Sequence, residues 1–459
     1  MVPFQSFSRW FNNDFWRAFR EGNFPIYIPK TKNERNSLIE SVYNEVKTSR
    51  YAPSLPENEI FMNKGHGVAR IIHVFSIKDY CIYYFCIKEL EDVLCRNRVE
   101  NTFGGWTLGG KIRKKEQEEI EGECEGANYG KFSFNPLAWA KAFGEFNSLL
   151  FSQLDQKNYS HILQFDIANF YDTIRLDILE RWIREDSPSS KGFIVSLLFY
   201  FLNHWNRHNT FLEHQSVGLP QDALSDCSRI LANYYLQKYD IYASELCNNV
   251  YSLYFRYADD QMILTNSPDD LEYVMLLLSK NLNHYGLRIN QKKVSLWTND
   301  ELQRFRCRNL HSIFAENGYR QDPDRVRLFV DGYLMLTTNQ IKESWNGGLP
   351  LLNRLVWSNL ESLPANLFEQ MMVRLLSEEY ILQADHKKLE RLQTLNKKLK
   401  HPIDFIQLLE KLGQKTVHNS FHFEALHFCK KHSHSSSETY FHERIKSLAE
   451  QIACGGAIS

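Results

Sequence analysis

Two adjacent aspartates, Asp259 and Asp260, interrupt an otherwise apolar stretch running from Val250 to Thr265. Adjacent charges inside apolar strands are costly unless they are exposed or neutralised by cations. The stretch VYSLYFRYADDQMILT therefore reads as two strands about a tight turn, with the acids at its tip. Upstream, HILQFDI reads as a strand that Asp166 closes. LLFYFLNHW, SRILANYYLQKYDIY and LEYVMLLLSKNLNHYG have helical length, the last ending at Gly286. Strand-like and helix-like runs thus alternate from 161 to 300, which predicts an α+β fold with a βαββαβ-type core inside helical flanks.

The remaining chain sets limits. A length of 459 residues predicts two or three domains. Hydrophobic residues at 43% and charged residues at 24% exclude disorder as the dominant state. A net charge of −1 argues against a uniformly basic coat but says nothing of local stripes. No window approaches the ~18 consecutive apolar residues of a membrane span, and the N-terminus lacks a secretory apolar core. Nine cysteines with no Cys-x-x-Cys pair read as reduced thiols, so the expected compartment is the cytoplasm.

Phe4, Phe7, Trp10, Phe11, Phe15 and Phe19 recur at helical spacing. They predict an aromatic helix face over 4–19, docked on the protein's own body or used in self-association. GVARIIHVFSI predicts a short strand pair leading into a helix over DYCIYYFCIKELEDVL. Residues 111–126 are charged and predict an exposed excursion. Beyond about 330 the chain is leucine-rich and helical. His386–Lys400 is basic and amphipathic, with Leu389, Leu392, Leu395 and Leu399 facing inward; its lysines suit either backbone phosphates or plain solvent. The histidines 418, 422, 427, 432, 434 and 442 have no zinc-binding spacing and read as scattered helix-surface residues.

Carboxylates converging from separate strands are what two-metal phosphoryl or nucleotidyl transfer requires. Mg²⁺ is a hard, oxygen-seeking ion, and the attacking and leaving oxygens must each meet a metal. Asp166, Asp259 and Asp260 form such a set. Taken alone, Asp259–Asp260 is compatible with an ordinary hairpin turn as well as with metal ligation.

The surrounding residues resemble a family. Phe165-Asp166-Ile167-Ala168-Asn169-Phe170-Tyr171-Asp172-Thr173-Ile174 looks like the first palm motif of reverse transcriptases, and Tyr257-Ala258-Asp259-Asp260 looks like their Y-x-D-D motif. Gly218-Leu219-Pro220-Gln221, followed by Ser228-Arg229-Ile230-Leu231-Ala232-Asn233, resembles the nucleotide-contacting loop and helix. Leu287-Arg288-Ile289-Asn290-Gln291-Lys292-Lys293 resembles the L-x-L-N-x-x-K element, and Arg70 with Asp79 reproduces the R-x8-D spacing of the fingers. These five elements keep the family's order from Arg70 to Lys293, about half of the chain.

The resemblance implies a right-hand polymerase with an antiparallel-sheet palm, helical fingers and a helical thumb or C-terminal extension. Residues 1–160 would form an N-terminal extension and fingers, 161–300 the palm with an inserted fingers segment near 186–216, and 301–459 the thumb and extension. By similarity, Asp166, Asp259, Asp260 and the backbone carbonyl of Ile167 would hold two Mg²⁺ ions. Tyr171 would be the steric gate against a 2′-hydroxyl, or else a buried palm aromatic. Gln221 would contact the incoming nucleotide, and Arg70 its phosphates through a guanidinium fork. Lys78 is a further phosphate candidate, or a plain surface lysine. Lys293, with Lys292 as a one-residue alternative, would protonate pyrophosphate.

The pattern also departs from the family. Asp222 follows the Pro-Gln pair where reverse transcriptases usually carry Gly, and Phe103-Gly104-Gly105-Trp106 lacks an arginine. A carboxylate at 222 would repel phosphates unless it paired with a base or turned outward. The chain is most similar to divergent bacterial reverse transcriptases of antiphage defence, including the abortive-infection group. That resemblance implies an RNA template, for which a dedicated noncoding RNA is one candidate, with dNTPs as substrates, a DNA product and no membrane partner. A homo-oligomer is compatible with the aromatic N-terminus. The rival expectations are protein-primed or untemplated DNA synthesis, and a non-catalytic RNA-binding scaffold on the palm fold.

Overall fold

The computed structural model describes residues 2–12, 15, 16, 19, 26–63, 68–104, 138–156, 158–206, 218–222, 226–313, 319–339 and 348–455. The charged stretch 111–126, Gly105, Trp106 and residues 207–216 of the expected insertion lie outside the described residues. Two compact units emerge, Met1–Glu59 with Ile72–Asn299 and Ile60–Ile71 with Asp300–Ser459.

Among the described residues there are seven strands: β1 (Asn58–Asn63), β2 (Ala69–Val74), β3 (Thr102–Phe103), β4 (His161–Asp166), β5 (Leu253–Tyr257), β6 (Asp260–Thr265) and β7 (Ser295–Thr298). β1 and β2 pair alone, so GVARIIHV supplies only the second strand of the expected pair. The other five form one sheet in the order β3-β5-β6-β4-β7. Its pairings are antiparallel except β3 with β5. β6 is buried along its length after Asp260, as expected of a central strand of apolar residues.

The first unit's core joins this sheet to helices. Leu163, Phe165, Tyr254 and Ile263 pack with Ile230, Leu231 and Tyr235 of the helix Asp226–Asn249. The helix Ile77–Leu94 is apolar on nearly every side and buried accordingly. The N-terminal helix is Phe4–Ser8, shorter than its spacing predicts. Of the aromatic series, Phe7, Phe11, Phe15 and Phe19 are buried on the protein's own body, Trp10 is half-buried and Phe4 is exposed. Phe7 lies 4.6 Å from Phe85, Phe15 lies 4.8 Å from Tyr84, and Phe19 lies 5.2 Å from Tyr80.

Among the described residues, the second unit is helical apart from its share of the β1–β2 pair, and it has its own core from Cys307 to Phe441. Phe61 of β1 belongs to it, donating its amide to Asn419 Oδ1 at 2.6 Å. The helix His386–Asn396 is capped by Asp385, which accepts from the Lys388 amide at 2.9 Å. Leu389, Leu392 and Leu395 are buried as their spacing predicts. Part of the basic face is committed inside the unit: Lys388 pairs with Asp385, and Arg391 with Glu361. The exposed lysines Lys397, Lys398 and Lys400 follow the helix's end. The histidine expectation needs correction too, because His418 and His422 are buried in the core rather than on a helix surface. Among the described residues, no helix is long and apolar enough to cross a membrane.

Candidate active site

Strand register brings the acids together. In the antiparallel pair β4–β6, Asp166 stands directly opposite Asp260. In β5–β6, Tyr257 pairs with Asp260, which leaves Ala258 and Asp259 as a two-residue turn. Like charges directly opposite one another are destabilising, so this geometry calls for cations. The chain supplies one: Lys293 Nζ donates to Asp166 Oδ2. Burial works against the lysine's charge. The hydrogen bond to Asp166 and the fields of Asp166, Asp260 and Asp259 outweigh it, raising its pKa above the ordinary lysine value. Lys293, rather than the adjacent Lys292, makes this contact.

Asp166 is 3% exposed, and its second oxygen, Oδ1, is buried without a hydrogen-bond donor. Buried carboxylate oxygens are normally satisfied, so an acceptor aimed into this acidic corner fits a bound cation. The backbone after Asp166 is fixed from the far side. Asn290 N donates to Asp166 O at 2.9 Å and Ala168 N to Arg288 O at 2.8 Å, bracketing an Ile167–Ile289 bridge. In that pattern the amide groups of Ile167 point away from the Ile289 segment, toward the side of β4 that carries β6. The donor set is therefore carboxylate and carbonyl oxygen, the chemistry that Mg²⁺ prefers.

Tyr171 lies on the short helix Phe170–Thr173, half-buried, its ring 5.6 Å from that of Phe170. Its carbonyl accepts from Leu219 N at 2.8 Å, which docks the loop Gly218–Asp222 beside it. Gly218 adopts φ +71°, and a Cβ there would fall 2.5 Å from Tyr171 O. Only glycine meets both demands. Gln221 is half-buried and its carbonyl accepts from His73 N at 2.8 Å, tying the loop to β2.

Asp222 does not turn outward. It is 2% exposed, in a parallel bridge with His73, with Ser228 Oγ at 3.5 Å from Oδ1. Ser228 Oγ also donates to Pro220 O at 2.6 Å and meets Tyr83 Oη at 2.9 Å. The carboxylate is turned into the protein, where it braces the loop.

Arg70 is an exposed residue of β2, in the stretch that groups with the second unit. Asp79 is fully buried and accepts from Tyr51 Oη at 2.9 Å, Ser76 Oγ at 2.7 Å and Ser54 Oγ. It anchors residues 51–54 to the helix start. Lys78 pairs with Glu45 at 3.1 Å and lies over the Tyr51 ring, a structural setting for a side chain expected at phosphate.

Sequence reasoning passed over Arg256. Its guanidinium is fully buried beneath the turn, held by Asp240 and Asn233 of the helix Asp226–Asn249. The signal was present, since an arginine inside the apolar run LYFRY requires a buried partner.

Residues 129–326 match the family model described as reverse transcriptase (RNA-dependent DNA polymerase). Asp166, Tyr171, Gln221, Asp259, Asp260 and Lys293 all fall within that span. Among solved structures, the chain is similar to apo telomerase from Candida tropicalis, truncated of its C-terminal domain, at 14% identity and a TM-score of 0.33. The match covers 58% of this chain and 55% of that one, so the chain spans about half of that relative's length. It is also similar to telomerase from Candida albicans in complex with a fragment of telomeric RNA, at 12% identity and a TM-score of 0.33. That match covers 84% of this chain and 69% of the other. On the family match, residues 129–326 are the part of the chain similar to the reverse transcriptase domain.

Proposed function

We propose that the chain extends a primer with deoxynucleotides on an RNA template, using Asp166, Asp259 and Asp260 as its metal-binding carboxylates. The observation that carries this is the Asp166–Asp260 opposition, with Asp166 Oδ1 buried and undonated. Two Mg²⁺ ions held by these acids and the Ile167 carbonyl would activate the primer hydroxyl and stabilise departing pyrophosphate.

The chain's own side chains supply the rest. Lys293 Nζ holds a proton beside Asp166 and is available to the leaving pyrophosphate. The Tyr171 ring, on a backbone that the Gly218–Leu219 loop holds, is proposed to sit against the sugar and exclude a 2′-hydroxyl. Gln221, whose backbone is pinned to His73, presents its side chain to the incoming nucleotide.

The likeness of the motifs to antiphage reverse transcriptases supports a role in bacterial defence with a dedicated noncoding RNA as template. Untemplated synthesis rests on two grounds, charge repulsion by Asp222 and the altered Phe103-Gly104-Gly105-Trp106 stretch, and the inward burial of Asp222 weakens the first. The test is primer extension on RNA with wild type and an Asp259→Ala, Asp260→Ala variant. Loss of synthesis in a variant that still folds and binds RNA supports the polymerase and excludes a scaffold.

A further inference from the structure

The catalytic turn is held in an uncommon backbone conformation. Ala258 takes φ +53°, a left-handed value that residues bearing a Cβ rarely adopt. Such a conformation persists only where the surroundings fix it. Here both sides of the residue are fixed: Ala258 N donates to Phe103 O at 3.0 Å, and Arg256 Nη1 donates to Ala258 O at 2.8 Å.

The second of these restraints is anchored deep in the core. Arg256 Nε and Nη2 donate to the two oxygens of Asp240 at 2.7 and 2.6 Å. Nη1, which reaches the turn, also donates to Asn233 Oδ1 at 2.8 Å. Tyr254 Oη donates to Asp240 Oδ1 at 2.9 Å. The guanidinium is thus aimed by a two-pronged pair on one side and delivers a hydrogen bond to the turn on the other. Asn233 and Asp240 share the helix on which Ser228 bonds to Pro220, next to Gln221. One rigid helix therefore braces both the nucleotide loop and the metal turn.

We propose that Arg256, aimed by Asp240 and Asn233, is the positioning residue that sets the Asp259–Asp260 turn for metal binding. The inference rests on the polymerase reading of the same acids. Its consequence is specific: disturbing the guanidinium should weaken the metal and leave nucleotide affinity alone, because Gln221 and Tyr171 are held by other bonds. Arg256→Lys keeps the charge for Asp240, but a single ammonium cannot serve Asp240, Asn233 and Ala258 O in the same geometry. Tyr254→Phe is the control, since it removes the hydroxyl's bonds to Asp240 and Gln261 but leaves the bonds to Ala258 N and O in place.

The probe is Mn²⁺ alone, titrated into the full chain and followed by the spin-resonance signal of free ion, well below each variant's melting transition. Arg256→Lys should weaken Mn²⁺ binding about ten-fold, the usual effect of losing a group that orients a ligand. The Mg²⁺ concentration for half-maximal synthesis should rise in parallel with the dNTP KM unchanged, and Tyr254→Phe should bind Mn²⁺ as wild type does. Should Arg256→Lys fail to fold, Asn233→Ala, which leaves the ion pair intact, should weaken Mn²⁺ in the same direction. Wild-type Mn²⁺ affinity in both Arg256→Lys and Asn233→Ala would overturn the proposal, as would equal weakening in Tyr254→Phe. Asp259→Ala separates the two levels. Wild-type binding that Asp259→Ala abolishes upholds the metal site whatever Arg256→Lys does, whereas no binding by wild type overturns the site and the inference together.

Discussion

Asp166 and Asp260 face each other across neighbouring antiparallel strands, and Lys293 donates to Asp166 from the 3₁₀ turn Gln291–Lys293 ahead of β7. Two carboxylates forced together at the open end of a sheet repel one another, so the site favours binding cations over maximal stability.

The first expectation concerns Asp166 itself. Asp166→Ala removes a buried, undonated oxygen and the repulsion with Asp260. DNA synthesis should fall to background while the melting temperature stays level or rises. Wild-type extension rates in a primer-extension assay would sink the role.

Tyr171→Ala should leave the fold intact and relax sugar selection. The measured quantity is the ratio of kcat/KM for a deoxynucleotide over the matching ribonucleotide. A marked fall is expected; an unchanged ratio means that the gate lies elsewhere.

Asp222→Gly tests the inward carboxylate. It loses the contact with Ser228 and adds chain entropy to the unfolded state, a cost of about 1–2 kcal/mol. Stability should drop and the dNTP KM should rise as Gln221 loses its support. A faster enzyme with ordinary stability would mean that the carboxylate repels substrate after all.

The second unit should be acid-sensitive. Burial pushes the pKa of His311 down to about 4, with the Arg354 charge adding to it, and burial likewise pushes His422 down to about 4. Their ordinary values lie near 6.5, so on acidification the unfolded chain takes up these protons first. The stabilisation is complete above that value and is lost as pH falls toward 4, at up to about 1.4 kcal/mol per pH unit per histidine. Thermal melts between neutral pH and about 4.5 should show the decline, and a His311→Gln, His422→Gln variant should flatten it. Equal slopes in the two proteins would contradict the assignment.

Much of the site was legible because local chemistry wrote it. A pair of acids inside an apolar run can only be a strand turn, and the strands flanking Asp259 and Asp260 form as read. The leucine spacing of 389–395 predicted its buried face for the same reason. What stayed hidden depends on residues distant in sequence or on backbone detail. The buried pair Arg256–Asp240 joins a strand to a helix with no shared period. Whether Asp222 turned in or out depended on Ser228, Tyr83 and His73, from two other helices and a strand. The aromatic series at 4–19 showed burial correctly and helix length poorly, because ring packing against Tyr80, Tyr84 and Phe85 does not require one continuous helix.

The most direct test of RNA-directed DNA synthesis uses the purified protein with whatever nucleic acid it retains. Half is treated with RNase, Mg²⁺ and labelled deoxynucleotides are added, and the product is sequenced. An RNase-sensitive DNA complementary to one co-purifying RNA, absent from Asp259→Ala, is the predicted result. An RNase-resistant product of simple composition, attached to protein, would contradict templated synthesis and favour protein-primed, untemplated addition.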